Sequence, residues 1–145
     1  MIVLVDSPIW SLSLRRKPED LSRNELRLVG ALRDLIQQGR AKIVGPIRQE
    51  LLSGIREPEV FRTLRNALRA FPDPALEAGD YEEAANMSNQ CRRQGISGSA
   101  TDFLICAVAH RRTWQVFTAD KDFQHYGKAL PFNLNNPAER GNRPS

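Results

Sequence analysis

The chain opens on Met1-Ile-Val-Leu-Val5, apolar throughout, and stops at Asp6. Residues 2–5 are β-branched or leucine with no polar alternation, the pattern of a strand buried on both faces. Such a strand needs cover above and below its sheet. The rest of the chain must therefore supply helices through crossover connections, which is how parallel sheets are joined.

The punctuation that follows fits this demand. Asp6-Ser7-Pro8 opens a short helix through about Leu14, with proline in the first turn, where its missing N–H costs little. Ser22-Arg-Asn-Glu25 has the pattern of a capping box; Leu28, Leu32, Leu35 and Ile36 follow at helical spacing, and Gly39 is a natural stop. Residues 41–44 read as a second strand. Gly45-Pro46 starts a helix that carries Glu50 and ends near Gly54. Pro58 begins another, whose apolar stripe is Phe61, Leu64, Leu68 and Phe71, and Pro72-Asp-Pro74 breaks it. A weak strand is expected over 75–77, and a helix capped by Asp80-Tyr-Glu-Glu83 running to Gly95. Residues 100–112 form the most apolar helix, 114–118 a strand, 121–126 a short helix and 130–133 an edge strand.

The order predicts an α/β fold whose central, mostly parallel sheet has four to five strands with helices on both faces. One domain is expected over 1–133. Residues 134–145, rich in Asn, Pro, Gly, Arg and Ser, read as a flexible tail made basic by Arg140 and Arg143.

Composition narrows the function. No apolar run approaches the roughly 20 residues of a membrane span, and the opening run lacks the basic flank of a signal peptide, so the expected compartment is the cytoplasm. Cys91 and Cys106 form no C-x-x-C pair and read as buried thiols; with only His110 and His125 besides, a zinc ligand set is not in view. The net charge is +4, from 21 basic and 17 acidic residues. Were four acids committed to a metal, 21 bases would face 13 acids, an excess of +8 suited to a polyanionic substrate.

Four acids stand where strands end or helices begin: Asp6, Glu50, Asp102 and Asp120. Each has a plain explanation. Asp6 fits a helix cap beside Ser7, and Glu50 an exposed acid favoured near a helix start. Asp102 fits the capping pattern Ser99-x-x-Asp102, and Asp120 a turn residue. Yet the carboxyl ends of parallel strands share one edge of the sheet. Carboxylates brought together there repel one another unless a cation sits between them. The pattern points to a hard metal held by oxygen ligands and to phosphodiester chemistry. Thr118 is placed to orient a water or carboxylate through its hydroxyl, and Asp122 reads as a turn residue supporting its neighbours.

The segments Val3-Leu-Val-Asp6-Ser7-x-x-Trp10, Gln49-Glu50-Leu-Leu-Ser-Gly54, Thr101-Asp102-x-Leu-Ile-x-Ala107-x-Ala109 and Thr118-x-Asp120-x-Asp122-Phe123 resemble the PIN-domain signature. More narrowly they resemble the ribonuclease toxins of bacterial VapBC toxin–antitoxin pairs. The resemblance spans residues 1–133, with Pro8 departing from the small or polar residue usual there. It implies that Asp6, Glu50, Asp102 and Asp120 are the metal-binding quartet, with Asp6 and Asp102 the direct ligands. It implies Mg²⁺, replaceable by Mn²⁺, an RNA substrate, a cognate antitoxin and a homodimer. Grip on the substrate is expected from Arg62, Arg65 and Arg69, which share a helix face, and from Arg15 and Arg16 after the first helix. A DNA- or structure-specific nuclease of the same fold, or a non-catalytic binding module built on it, are the competing readings.

Overall fold

The structure, a computed structural model, describes residues 1–137. Four strands, β1 (Val3–Val5), β2 (Ala41–Lys42), β3 (Gln115–Phe117) and β4 (Asn133–Leu134), form one sheet in the order β2-β1-β3-β4. All three pairings are parallel, with Leu4 opposite Lys42 on one side and Val116 on the other. Val3, Leu4 and Val5 are fully buried, which fits their unbroken apolar sequence.

Seven α-helices, α1 (Ser7–Arg15), α2 (Arg23–Gln37), α3 (Gly45–Leu52), α4 (Pro58–Leu68), α5 (Ala78–Arg93), α6 (Ala100–Arg112) and α7 (Asp122–Tyr126), and a 3-10 turn at Pro18–Asp20 complete the described elements. Their ends follow local chemistry. The Ser22 hydroxyl accepts from Glu25 N–H while the Glu25 carboxylate accepts from Ser22 N–H, completing the capping box. Gly39 and Gly54 take left-handed backbone just after α2 and α3, where a side chain would be strained. In α6 the seven residues from Phe103 to Ala109 are all buried, so this helix runs through the core against β1 and β3. Cys91 and Cys106 are buried free thiols within α5 and α6. None of the described helices is long and apolar enough to cross a membrane.

Three expectations need correction. No strand forms over 75–77; Ala75 O instead accepts from Arg112, and Glu77 N–H is taken by the Asp80 carboxylate. The final strand is Asn133–Leu134 rather than 130–133, because Pro131 has no N–H for a ladder, while Leu130 and Phe132 turn into the core. Leu134 thus belongs to the sheet; residues 138–145, with Arg140 and Arg143, lie outside the described residues. The cap of α5 is Glu77, and Asp80 sits within the first turn, fully buried.

Asp80 is a buried polar staple away from the sheet edge. Arg112 grips both of its oxygens at 2.7 and 3.0 Å and Arg111 adds a contact at 3.2 Å, so α5 is tied to the end of α6. The Arg112 contact, helped by the Glu77 N–H, holds the Asp80 carboxyl below its ordinary range against the cost of burial. Removing one partner of a buried pair leaves a charge uncompensated. Arg112→Met should therefore lower unfolding free energy by roughly 3 kcal/mol in urea titration, Arg111 sparing part of the loss. A change below about 1 kcal/mol would place Asp80 among ordinary surface pairs.

Candidate active site

Asp6 leaves the end of β1 and starts α1. Its Oδ1 accepts from Ser7 N–H at 2.8 Å, and its Oδ2 accepts from the Thr118 hydroxyl at 2.8 Å. Its own N–H donates to Phe117 O, extending the β1–β3 pairing to the edge of the sheet. Asp6 is only 4 % exposed. It is a helix cap and an acid in a crevice at once. Trp10, fully buried in α1, fixes the turn from the other side by donating its indole N–H to Val5 O at 2.9 Å.

Thr118 links two of the acids. Besides donating to Asp6, its hydroxyl oxygen accepts from Asp120 N–H at 3.0 Å. Asp120 Oδ1 in turn accepts from Asp122 N–H at 2.9 Å, closing the turn that begins α7. Asp122 acts here through its backbone, with its side chain on the exposed surface.

Asp102 lies in the first turn of α6, where Ser99 Oγ accepts from its N–H at 3.1 Å. Its Oδ2 accepts from the Tyr126 hydroxyl at 2.7 Å. Tyr126 ends α7 and is 1 % exposed, packed against Phe103 and Phe123 with ring centroids 5.2 and 5.1 Å away. Gly98 makes room for it: a Cβ there would stand 2.5 Å from the phenol oxygen. Burial and the Asp102 contact push the Tyr126 hydroxyl far above its usual range, so it remains an O–H donor. Tyr126 escaped the sequence reading. Its signal was a phenol closing a short helix otherwise anchored by Phe123.

Glu50 projects from α3 and is exposed. It still belongs to the same electrostatic neighbourhood. Asp6 is pushed up to about 6, first by burial and then by Asp102 and Glu50, against the stabilising Thr118 and Ser7 contacts. Asp102 is also raised, first by burial and further by Asp120 and Glu50. The four acids are thus coupled, and the coupling is repulsive. Cys106, one turn beyond Asp102, is pushed far up by burial and further by Asp102, Cys91 and Asp6, so it offers no thiolate.

The donor set suits a hard cation: carboxylate oxygens with hydroxyls behind them and no soft ligand. Among the described residues no three acid, histidine or cysteine side chains form a group that could itself hold an ion.

The arginines are placed differently. Arg62, Arg65 and Arg69 follow the outer side of α4, where Arg65 contacts Asn66. Arg15 lines a groove between α1 and α4 together with Val60, Thr63 and Leu64, while Arg16 donates to Asp20 O. None of these five lines the cleft that holds Thr118 and Asp120; the cations there are Arg27 and Lys121.

A family model of the PIN domain matches residues 3–129. Among solved structures the fold is shared with FitAcB from Neisseria gonorrhoeae, at 19 % identity over 94 % of this chain and 99 % of that one, with a TM-score of 0.73. It is shared also with VapBC2 from Rickettsia felis bound to a DNA fragment from their promoter, at 16 % identity over 94 % and 98 % of the two chains and a TM-score of 0.70. VapBC-1 from nontypeable Haemophilus influenzae has 14 % identity over 95 % and 99 %, with a TM-score of 0.63. No curated protein matches significantly.

The raised Asp6 has a consequence for stability in the absence of divalent ions. Between the unfolded value near 3.9 and the folded value of about 6, the folded chain keeps a proton that the unfolded chain has lost. Stability from this group is fully present below about pH 4, falls as pH rises to about 6, and stays low above. Asp6→Asn cannot ionise. In EDTA its Tm should vary less than the parent's between pH 4 and 6, and at pH 7 the variant should be the more stable, by roughly 1–3 kcal/mol. Parallel Tm curves for the two proteins would mean that Asp6 is effectively solvated.

Proposed function

The chain belongs to the PIN-domain family, and from that premise we propose that it is a divalent-metal-dependent endoribonuclease, the toxin of a type II toxin–antitoxin pair acting in the cytoplasm. The observation that carries the reading is the set of four carboxylates at the carboxyl edge of the sheet, two of them, Asp6 and Asp102, raised by burial and by neighbouring acids of the set. Helix capping alone does not call for acids near enough to raise one another's protonation range.

Asp6 and Asp102 are the assigned metal ligands, with Asp120 and Glu50 completing the negative field. Thr118 and Tyr126 each occupy one carboxylate oxygen, so they orient Asp6 and Asp102 and leave fewer positions open to an ion. When bound, Mg²⁺ or Mn²⁺ supplies the positive charge that makes a water a competent nucleophile at neutral pH and stabilises the departing 3′ oxygen. The acids hold that charge in place, and the buried wall behind Asp6 keeps bulk water from that side. No described histidine sits among them, so the reaction runs without an imidazole base and leaves 5′-phosphate and 3′-hydroxyl ends.

A cognate antitoxin and a homodimer are part of the same proposal. The antitoxin is supported by the fold shared with VapBC and FitAcB structures, together with a physical argument, and the homodimer by the family resemblance alone. An acidic pocket invites an inserted arginine, which would compete for the carboxylates.

Asp6→Asn and Asp102→Asn should each lower RNA cleavage in Mg²⁺ by at least about a hundredfold, judged against typical costs of losing electrostatic stabilisation. Tyr126→Phe should keep the fold and raise the Mg²⁺ concentration needed for half-maximal rate by roughly tenfold, the lower range for a residue that orients a ligand. Cleavage that persists in EDTA, or products ending in 2′,3′-cyclic phosphate, would refute the metal-dependent reading.

A further inference from the structure

A cleft of about 300 Å³ opens between α2, α7 and the end of β4, and its wall includes Thr118 and Asp120. It is therefore continuous with the acidic site. Arg27 and Lys121 bring two positive charges to it, Asn24, Gln124 and Asn136 exposed side-chain amides, and Leu28 and Leu134 an apolar surface. Three other clefts of 370 to 460 Å³, between α1 and α4, along α2, and between α5 and α6, contain none of the four acids.

We propose that this cleft is a nucleotide subsite, which holds one unpaired nucleotide of the RNA beside the scissile phosphate and reads its base. The inference rests on the nuclease function proposed above and adds where the substrate lies and what selects it. Its volume stands at the small end of the roughly 300–1,000 Å³ range of ligand sites, enough for one nucleotide and too small for a duplex. Its chemistry divides as nucleotide recognition requires. Cations fix the backbone, and amides, each both donor and acceptor, match the edge of a base. Sequence-specific readout of RNA acts on splayed single-stranded bases, which can also lie against a guanidinium plane such as that of Arg27. The amide of Asn135, though in the cleft wall, donates to Gln115 Oε1 at 2.9 Å and is committed to the fold. Asn136, in the same wall, is also engaged by a partner, so the reading falls to Asn24 and Gln124.

The subsite moves the expected grip. Polyanion binding should depend on Arg27 and Lys121 rather than on Arg62, Arg65 and Arg69 of α4.

Two measurements on the full chain decide it. In the first, cleavage of an RNA pool randomised around the cut is sequenced for the parent and its variants. The parent should show a base preference of roughly tenfold at one position flanking the cut, which Asn24→Ala and Gln124→Ala flatten. Arg27→Ala should raise KM and reduce the salt slope by about one, with Arg62→Ala as the comparison that does not. A preference unchanged in both amide variants, or a salt slope that responds to Arg62 and not to Arg27, overturns the subsite while leaving the nuclease in place. In the second, the four 5′-mononucleotides are titrated into the isotope-labelled Asp6→Asn protein and side-chain amide resonances followed. Shifts at Asn24 and Gln124 that differ among the bases support the subsite; shifts elsewhere, or none, overturn it. A parent that cuts no RNA sinks the nuclease reading, and the titration then decides separately whether the cleft takes a nucleotide.

Discussion

The burial of β1 on both faces and both edges governs this molecule. With Val3, Leu4 and Val5 fully covered and paired to β2 and β3, an ionised group on this strand can reach water only past its end. That is where Asp6 stands. The parallel register then brings Thr118, at the end of β3, level with it, and a single hydroxyl joins Asp6 to the turn carrying Asp120. Sites at the carboxyl edge of parallel sheets follow from this geometry: the strands agree in direction, so their ends agree in place. The position of the site comes from topology; its chemistry comes from the acids placed there.

Those acids work against the fold that holds them. Asp6 is raised by burial even with two hydrogen bonds in its favour, and Asp102 is raised despite Ser99 and Tyr126. Asp80 is the contrasting case. It is buried as deeply, yet two guanidinium groups hold it ionised and its carboxyl is lowered. The chain can therefore neutralise a buried carboxylate where structure is the purpose. At the sheet edge it supplies hydroxyl donors, which orient an oxygen without cancelling its charge. That difference separates a structural staple from a set of carboxylates whose repulsion is left standing.

Much of this was legible in the sequence because its causes are local. The Ser22–Glu25 capping box, the stop at Gly39, the span of α6 and the apolar β1 each depend on residues a few positions apart. The fate of Asp80 was not, since Arg112 lies 32 residues away and its approach depends on how α5 packs on α6. Tyr126 holding Asp102 across 24 residues, with Gly98 yielding space, was hidden for the same reason. The strand expected at 75–77 failed because side chains elsewhere claimed its backbone groups. The late start of β4 was readable: Pro131 alone excludes a ladder at that position.

The arginines show where a periodicity argument stops. Arg62, Arg65 and Arg69 do share a side of α4, and helical spacing establishes no more than that. Whether a charged face meets a substrate depends on which end of the sheet its helix overlies. Arg27 and Lys121 have no conspicuous spacing, one lying mid-helix in α2 and the other in the turn before α7. Their common feature is that α2 and the β3–α7 turn border one cleft at the carboxyl edge. In the nuclease reading proposed above, a phosphodiester held at the acids would bring its neighbouring nucleotides past the walls of that crevice, and proximity to Asp120 would select the residues that touch them. Charge clusters farther from the crevice would then act chiefly by raising the local concentration of a polyanion.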